Sequence, residues 1–352
     1  MMIRPKTVSR WAPLTAGVAV ALLLAGCSTS TPAATTSTDS VAATSTPRET
    51  LKINVGYIDT SINGVGIIAA ANKLDLWKQA GLDVTLVPFT NGPTQITAMQ
   101  AEQIGVGYIG GGATWLPATG NAVVIAPSKM SQGDVVLAQA DSGITTPEDL
   151  KGAKIGLPEG GSGEMILALA LEKAGLTDAD IEKVCLDPPS VVSAFVSNQI
   201  DVAAIFSPLS DQILEALPDT VTVANNAAFP DTQFLGSWVA SNGAVANKQD
   251  EIECFLEVYI KANDYRISHT AEVVKWASEE SGAPVDQLTG QAAISTWTPS
   301  AQIEKNNQDG TTYDQFASLV DVFVKVGRMD AKTDPKTWVN VDLFSKALAA
   351  TK

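Results

Sequence analysis

Five short segments rich in glycine, hydroxyl and amide residues are the parts of this chain best suited to contact a ligand. Most of them follow a predicted strand and precede a predicted helix or turn, where backbone N–H groups lack partners. Glycine lets the backbone approach a ligand, and a helix N-terminus favours negative charge. With Lys129 added, the candidate binding residues are Thr60, Ser61, Asn63, Asn91, Gly111, Gly112, Ala113, Thr114, Lys129, Gly161, Ser162, Gly163, Glu164, Ser207 and Asp211.

The glycine loop 160–163 is the strongest local signal, but it matches neither a dinucleotide-binding fingerprint nor a phosphate-binding Walker loop. A plain strand-to-helix turn would have the same residues. Glu164 follows this loop at the start of a predicted helix, where a carboxylate could repel an anion, bind an amine or simply face solvent. The candidate loops contain no arginine, and Lys129 is their one cation.

Catalytic and metal-binding patterns are missing from the sequence. The chain has one histidine, His269, which lies in an amphipathic stretch, and its three cysteines match no zinc-binding spacing. We therefore expect no metal, no cofactor and no enzymatic activity.

The N-terminus has the pattern of a secretory signal. Basic residues begin it, an apolar run covers 18–24, and Leu24-Ala25-Gly26-Cys27 ends it with small residues. This ending resembles a bacterial lipobox, which implies removal of residues 1–26, lipidation of Cys27 and anchoring on the outer face of the cytoplasmic membrane. Ordinary secretion, with Cys27 merely near the cut, is the alternative. Residues 27–50 are mostly Ser, Thr, Ala and Pro and predict a disordered tether.

The charge of the processed chain limits its partners. Removing residues 1–26 takes away three basic and no acidic residues, so the net charge changes from −15 to −18. Such an acidic surface argues against nucleic acid, although a pocket can differ from the surface. Cys185 and Cys254 remain, either as a disulfide or as two thiols.

The apolar pattern after residue 50 predicts alternating strands and helices. Apolar and polar residues alternate over 51–57, as in a strand. Predicted strands and helices then alternate along the chain, in a first block that starts there and a second block that starts at 134. This order predicts an α/β fold with parallel sheets and right-handed crossovers. The tail after 241 is expected to be mainly helical, with one helix over 285–296.

Several segments in this order resemble a known family. They are 74–84 (Leu-Asp-Leu-Trp-Lys-Gln-Ala-Gly-Leu-Asp-Val), Asn91-Gly92-Pro93, 146–156 (Thr-Pro-Glu-Asp-Leu-Lys-Gly-Ala-Lys-Ile-Gly) and 194–208, which ends Ile-Phe-Ser-Pro. The set is similar to the extracytoplasmic substrate-binding proteins of bacterial ABC importers for nitrate, sulfonates, taurine and thiamine-pyrimidine precursors. The sulfonate-binding members often offer an arginine to the anion, which these loops lack.

The resemblance implies a two-lobe periplasmic-binding-protein-like fold of type II, with two crossing strands as a hinge and the ligand cleft between the lobes. Residues 51–130 and 231–352 would form the first lobe, and 131–230 the second. It also implies a monomer that delivers a small molecule to an ABC permease and its ATPase. A ligand sensor without transport, or a pyrimidine-synthesis-type enzyme on the same fold, are the alternatives.

Overall fold

Two β-sheets with helices packed against them organise residues 50–351, the part of the chain that this computed structural model describes. The predicted signal sequence, Cys27 and nearly all of the predicted tether lie outside the described residues. Within them, no helix combines the length and apolar character needed to cross a membrane.

The first sheet begins with four strands. Strand β1 pairs in parallel with β2 on one side and with β3 on the other. The elements of this part are β1 (Leu51–Ile58), α1 (Ile62–Lys73), α2 (Leu76–Gln79), β2 (Leu82–Phe89), α3 (Gly92–Gln100), β3 (Val106–Ile109), a 3-10 turn at Gly111–Ala113, α4 (Trp115–Ala118) and β4 (Val123–Ser131).

The second sheet is built from the next five strands, in the order β7-β6-β8-β5-β9. Strand β6 runs parallel to β7 and β8, whereas β5 runs antiparallel to β8 and β9. Its elements are β5 (Asp134–Ala138), β6 (Lys154–Leu157), α5 (Ser162–Lys173), β7 (Glu182–Cys185), α6 (Pro188–Val196), β8 (Val202–Phe206), α7 (Leu209–Ala216) and β9 (Val221–Asn225).

The chain then returns to the first sheet, whose final order is β11-β4-β10-β3-β1-β2. Strand β10 inserts between β3 and β4, so two segments cross between the sheets: β4 to β5, and β9 to β10. The returning elements are β10 (Leu235–Ala240), α8 (Asn242–Asn247), α9 (Gln249–Ser268), α10 (Thr270–Ser281), α11 (Val285–Ala293), β11 (Ser295–Trp297), α12 (Ser300–Asp309), α13 (Thr311–Lys325) and α14 (Val341–Ala350).

The two-lobe α/β fold is confirmed, but the prediction of parallel sheets holds only in part, because both sheets are mixed. The strands next to the crossings, β5 and β10, run antiparallel to their neighbours. A strand that carries the chain into or out of a lobe is not joined to its neighbour by a helical crossover. The rule that crossover connections join parallel strands therefore does not apply to it. The single helix predicted over 285–296 is wrong, because Ser295–Trp297 forms the edge strand β11 beside β4.

The core of the first lobe centres on Trp238 in β10. Its ring packs against those of Tyr108, Phe255 and Tyr259, with centroid distances between 5.0 and 6.1 Å. Helix α1 is buried along most of its length and packs on α9 and α10. These contacts fix the N-terminal end of α1 relative to the sheet.

A second apolar cluster joins the two lobes. It includes Ile109 and Phe234 from the first lobe, Leu157 and Met165 from the second, and Phe323 of α13. The lobes therefore share buried surface along one side of the interface between them.

The structure also settles the two alternatives for the cysteines. Cys185 is exposed at the end of β7, whereas Cys254 is buried in α9 against the first sheet, and no disulfide joins them.

Candidate ligand-binding cleft

A cleft lies between the lobes. The predicted site residues that line it are Thr60, Ser61, Asn91, Gly111, Ala113, Lys129, Gly161, Ser162 and Ser207. The other lining residues, which are not among the candidate binding residues, are Ile58, Gly92, Pro93, Tyr108, Gly110, Ser131, Asp134, Phe206 and Pro208. Both lobes contribute to the lining.

The first turns of three helices face this cleft. Ser61, Asn91 and Gly161 are the N-cap residues of α1, α3 and α5, and all three line it. The first N–H groups of a helix have no intrahelical partner. In α1, Gln291 Oε1 accepts from the Ile62 N–H (3.0 Å), and in α3, Asn91 Oδ1 accepts from the Thr94 N–H (3.0 Å), whereas no N-cap side chain bonds the first turn of α5. The combined effect of these N–H groups and helix dipoles is an environment that favours negative charge.

Lys129 of β4 adds a cation to the cleft lining. Its side chain is only 9 % exposed, and the described residues give its ammonium group no hydrogen bond and no ion pair. Burial lowers the pKa of Lys129 to about 8, although the nearby Asp134 carboxylate opposes this shift. A buried ammonium without a partner is costly, and an anion in the cleft would offset that cost.

Asp134 starts β5, directly after the first crossing, and lines the cleft opposite the first lobe. Its N–H donates to Asn226 Oδ1 (2.8 Å), and Asn226 Nδ2 donates to its carboxylate (3.2 Å). Asn226 follows β9 at the second crossing. The pair therefore ties the two crossing segments together, at the base of the cleft.

Behind the cleft, Arg266 of α9 is completely buried. It donates to the carbonyl oxygen of Asn63 (3.2 Å) and to Asn263 Oδ1 (2.7 Å), and it stacks on the Trp297 ring at 4.3 Å. Among the described residues it makes no ion pair with a carboxylate. Burial lowers its pKa to about 10, and Arg266 in turn helps to lower the pKa of Lys129, so the two cations lie close to each other.

Six predicted site residues are not among the cleft-lining residues. The Asn63 side chain accepts from Trp297 Nε1 (2.7 Å), which turns it toward the network around Arg266. Gly112 abuts Ser162, and Gly163 packs α5 against β8, because a Cβ there would lie 2.4 Å from the Ala204 carbonyl oxygen. Thr114 is fully buried, and Asp211 is exposed and accepts from Ser207 Oγ.

Glu164, the sixth, faces a separate ion cluster. Its carboxylate accepts from Lys183 Nζ (2.7 Å), from the Gly160 N–H (2.7 Å) and from Arg328. Both cations come from distant parts of the chain, so no local pattern could have paired them with Glu164. The sequence placed Glu164 beside the ligand because only its position at the helix start was visible.

The ion cluster also connects the lobes. Arg328, which follows α13, lies over the Trp115 ring at 4.8 Å, and Trp115 Nε1 donates to the Gly160 carbonyl (3.2 Å). At the same edge, a Cβ at Gly112 would approach within 2.3 Å of Ser162 Cα. The lobes thus meet backbone to backbone beside the cleft, which only glycine permits.

Sequence reasoning missed Asp134 and Arg266 for different reasons. Asp134 precedes the apolar run Val-Val-Leu-Ala, so a charged residue at the start of a buried strand was a detectable signal. Arg266 lies in a helix rich in charged residues, and nothing in its local pattern distinguishes it from exposed neighbours.

The fold and the cleft define a two-lobed binding protein, and comparison with known proteins agrees. The family described as NMT1/THI5 like matches residues 62–273, and the chain belongs to this family. The family resemblance expected from the sequence is thereby confirmed.

Two relatives match this chain over most of their own length. A protein of Brucella abortus (strain 2308) that is named as a binding protein is 37% identical over 298 residues, which cover 84% of this chain and 92% of the relative. A protein of Escherichia coli (strain K12) named for binding aliphatic sulfonates is 33% identical over 319 residues, covering 89% and 95%.

Among solved structures, the alkanesulfonate-binding protein SsuA from Xanthomonas axonopodis pv. citri, bound to MOPS, has a similar fold. Its TM-score is 0.65 at 21% identity, and the match covers 83% of this chain and 99% of that one. The likeness establishes the shared two-lobe fold.

Replacing Glu164 by Gln should lower stability. The change leaves Lys183 and Arg328 close together without their shared carboxylate, so the free energy of unfolding should fall by about 1.5–3 kcal/mol. Urea denaturation measures this, with Glu182→Gln, an exposed carboxylate on β7, as the matched control expected to change stability by less than about 0.5 kcal/mol. Equal effects of the two variants would contradict the role of the ion cluster.

Lys129 should give stability a distinctive pH dependence. Its pKa is about 8 in the folded chain and 10.5 as the ordinary value, so between these pH values the unfolded chain binds more protons. Stability of the wild type should therefore rise with pH across this window, by roughly 1–3 kcal/mol relative to Lys129→Met. Urea denaturation from neutral pH to about pH 10 tests this. If the free energy of unfolding changes with pH in the same way for both proteins, the pKa of Lys129 is not lowered in the folded chain.

Proposed function

We propose that the chain is an extracytoplasmic receptor that captures a small organic anion or oxyanion in this cleft and passes it to the permease and ATPase of an ABC importer. The observation that carries the proposal is the largely buried Lys129, whose ammonium has no hydrogen bond or ion pair among the described residues, in a cleft faced by the N-termini of α1, α3 and α5. Sulfonates, taurine, nitrate and pyrimidine-like precursors with an acidic group are the candidate ligands.

Binding without covalent chemistry is consistent with the residues at the cleft. The lining contains no histidine and no cysteine, and the described residues contain no cluster of His, Cys, Asp or Glu that could hold a metal ion. Relatives that are 33% and 37% identical are named as binding proteins. We therefore propose a receptor that acts as a monomer and needs no cofactor.

Closure of the lobes would give the receptor its means of signalling occupancy. In this proposal, residues 51–130 and 231–352 form one lobe and 131–230 the other, and the two crossings joined by Asp134 and Asn226 are the hinge. A closed, loaded receptor presents both lobes to the permease in a fixed arrangement. A sensor without transport would use the same movement, and uptake of the bound compound by cells with and without the gene separates the two roles.

Ligand binding should depend on the charge of Lys129. Removing one charge-assisted hydrogen bond to a bound anion costs about 1.5–3 kcal/mol, so Lys129→Gln should weaken binding about tenfold to a hundredfold. Titration calorimetry with methanesulfonate, taurine, nitrate and an acidic pyrimidine tests this on the full-length protein. Mass spectrometry of any compound that copurifies extends the panel.

The matched control for this titration is Lys261→Gln, an exposed lysine on α9. It changes the net charge by the same amount, so an effect shared by both variants would reflect only long-range charge. The proposal fails if Lys129→Gln binds every ligand as tightly as the wild type, or if only cationic compounds bind.

Anchoring to the membrane through Cys27 is a further part of the proposal, supported by Leu24-Ala25-Gly26-Cys27 in the sequence. Because two or more acyl chains are needed for stable anchoring, Cys27→Ala should release the protein from membranes or leave it unprocessed. Cell fractionation and the mass of the N-terminal peptide measure this. A variant that is processed and retained on membranes like the wild type would exclude lipidation.

A further inference from the structure

The two charged side chains that line the cleft cancel, and Arg266 behind the lining brings the sum of the buried charges to one positive charge. Among the described residues that line the cleft, Lys129 is the one cation and Asp134 the one carboxylate. Arg266 lies behind the lining, close enough to Lys129 to lower its pKa. Lys129 therefore has both a buried acid and a second buried cation near it.

Asp134 is surrounded by groups that suit an ionised carboxylate. It is 1% exposed, and burial raises its pKa, but hydrogen bonds from Ser162, Asn226 and Ser131 and the charge of Lys129 all oppose that rise. Each of these neighbours donates a proton or carries positive charge, and none is a competing acid. These donors and Lys129 limit the rise in the pKa of Asp134, and in its ionised form the carboxylate adds one negative charge to the cleft.

Arg266 keeps its positive charge without an acid to neutralise it. Its bonds go to the carbonyl oxygen of Asn63 and the amide oxygen of Asn263, and its Nε has no partner among the described residues. A guanidinium remains protonated in proteins, so its charge acts on the cleft through a buried, weakly screened region. A bound anion with a single charge would complete the balance.

We propose that Asp134 determines the valence of the ligand, so that the cleft accepts singly charged anions and rejects doubly charged anions of the same shape. The inference rests on the proposed function, because it concerns the same cleft. A second negative charge on the ligand would have no cation left to meet it and would be repelled by Asp134. A sulfonate, nitrate or carboxylate satisfies the balance, whereas sulfate and phosphate dianions do not.

Methanesulfonate and sulfate make the sharpest test, because they are both tetrahedral and similar in size but differ by one charge. Full-length wild-type protein should bind methanesulfonate at least about tenfold more tightly than sulfate in titration calorimetry. Asp134→Asn keeps the size of the side chain and can still accept from Asn226. It should shift the ratio of the two affinities toward sulfate by at least about tenfold.

The ratio of the two affinities is compared between the wild type and the variant. Water binds sulfate more strongly than methanesulfonate in both titrations, so this hydration difference cancels in the comparison. Asp219→Asn is the matched control: Asp219 is an exposed carboxylate that does not line the cleft and should leave the ratio unchanged. If Asp134→Asn does not fold, Lys129→Gln is used in its place, and the ratio of the two affinities should then shift in the opposite direction, toward methanesulfonate. Loss of that cation should weaken sulfate more than methanesulfonate.

The outcomes separate the two proposals. Wild-type protein that binds no anion of any kind refutes the proposed function and this inference with it. Wild-type protein that binds methanesulfonate, together with a ratio that Asp134→Asn leaves unchanged, refutes only the inference and leaves Asp134 as a tie between the crossings. Equal wild-type affinities for the two anions also refute it.

Discussion

A methyl group at Gly112 would lie 2.3 Å from both the Cα and the N of Ser162, so the two lobes can approach as they do only with a bare backbone at this point. Much of the cleft depends on this approach. It brings the first turn of α5 in the second lobe to the 3-10 turn of the first lobe. Without it, the first turn of α5 would lie farther from those of α1 and α3, and the cleft beside Lys129 would be wider.

The charged residues at the cleft lower the stability of the folded chain, and a sheet with a purely structural role would not be expected to contain them. Lys129 lies in a strand whose neighbours are mostly buried, and its ammonium has no partner among the described residues. Arg266 adds a second buried charge behind it. Glu164, by contrast, has two cations and an N–H as partners. The difference between satisfied and unsatisfied charge separates a structural cluster from a binding site more clearly than position in the sequence does.

Much of the architecture was predictable because it depends on local pattern. Alternation over 51–57 predicted strand β1, and the loops at Thr60, Asn91 and Gly161 were correctly placed at strand ends. The antiparallel insertion of β10 was not predictable, because pairing between distant strands leaves no local period. The same limit applies to the site: Lys129 was visible as the one cation in the candidate loops, whereas the link from Arg266 to Asn63 spans more than half of the described chain.

The late insertion of β10 has a consequence for the order of folding. Strands β5 to β9 form their sheet from one uninterrupted stretch, so the second lobe can be completed as soon as that stretch is synthesised. The first sheet cannot be completed at that point, because β3 and β4 pair with β10, which comes later in the chain. Ile109 of β3 pairs with Ser237, and Ala126 of β4 pairs with Trp238. Until then, β3 and β4 present unpaired edges, which invite pairing with other chains. The order of the strands in the chain therefore allows the second lobe to fold while the edges of β3 and β4 in the first lobe are still open.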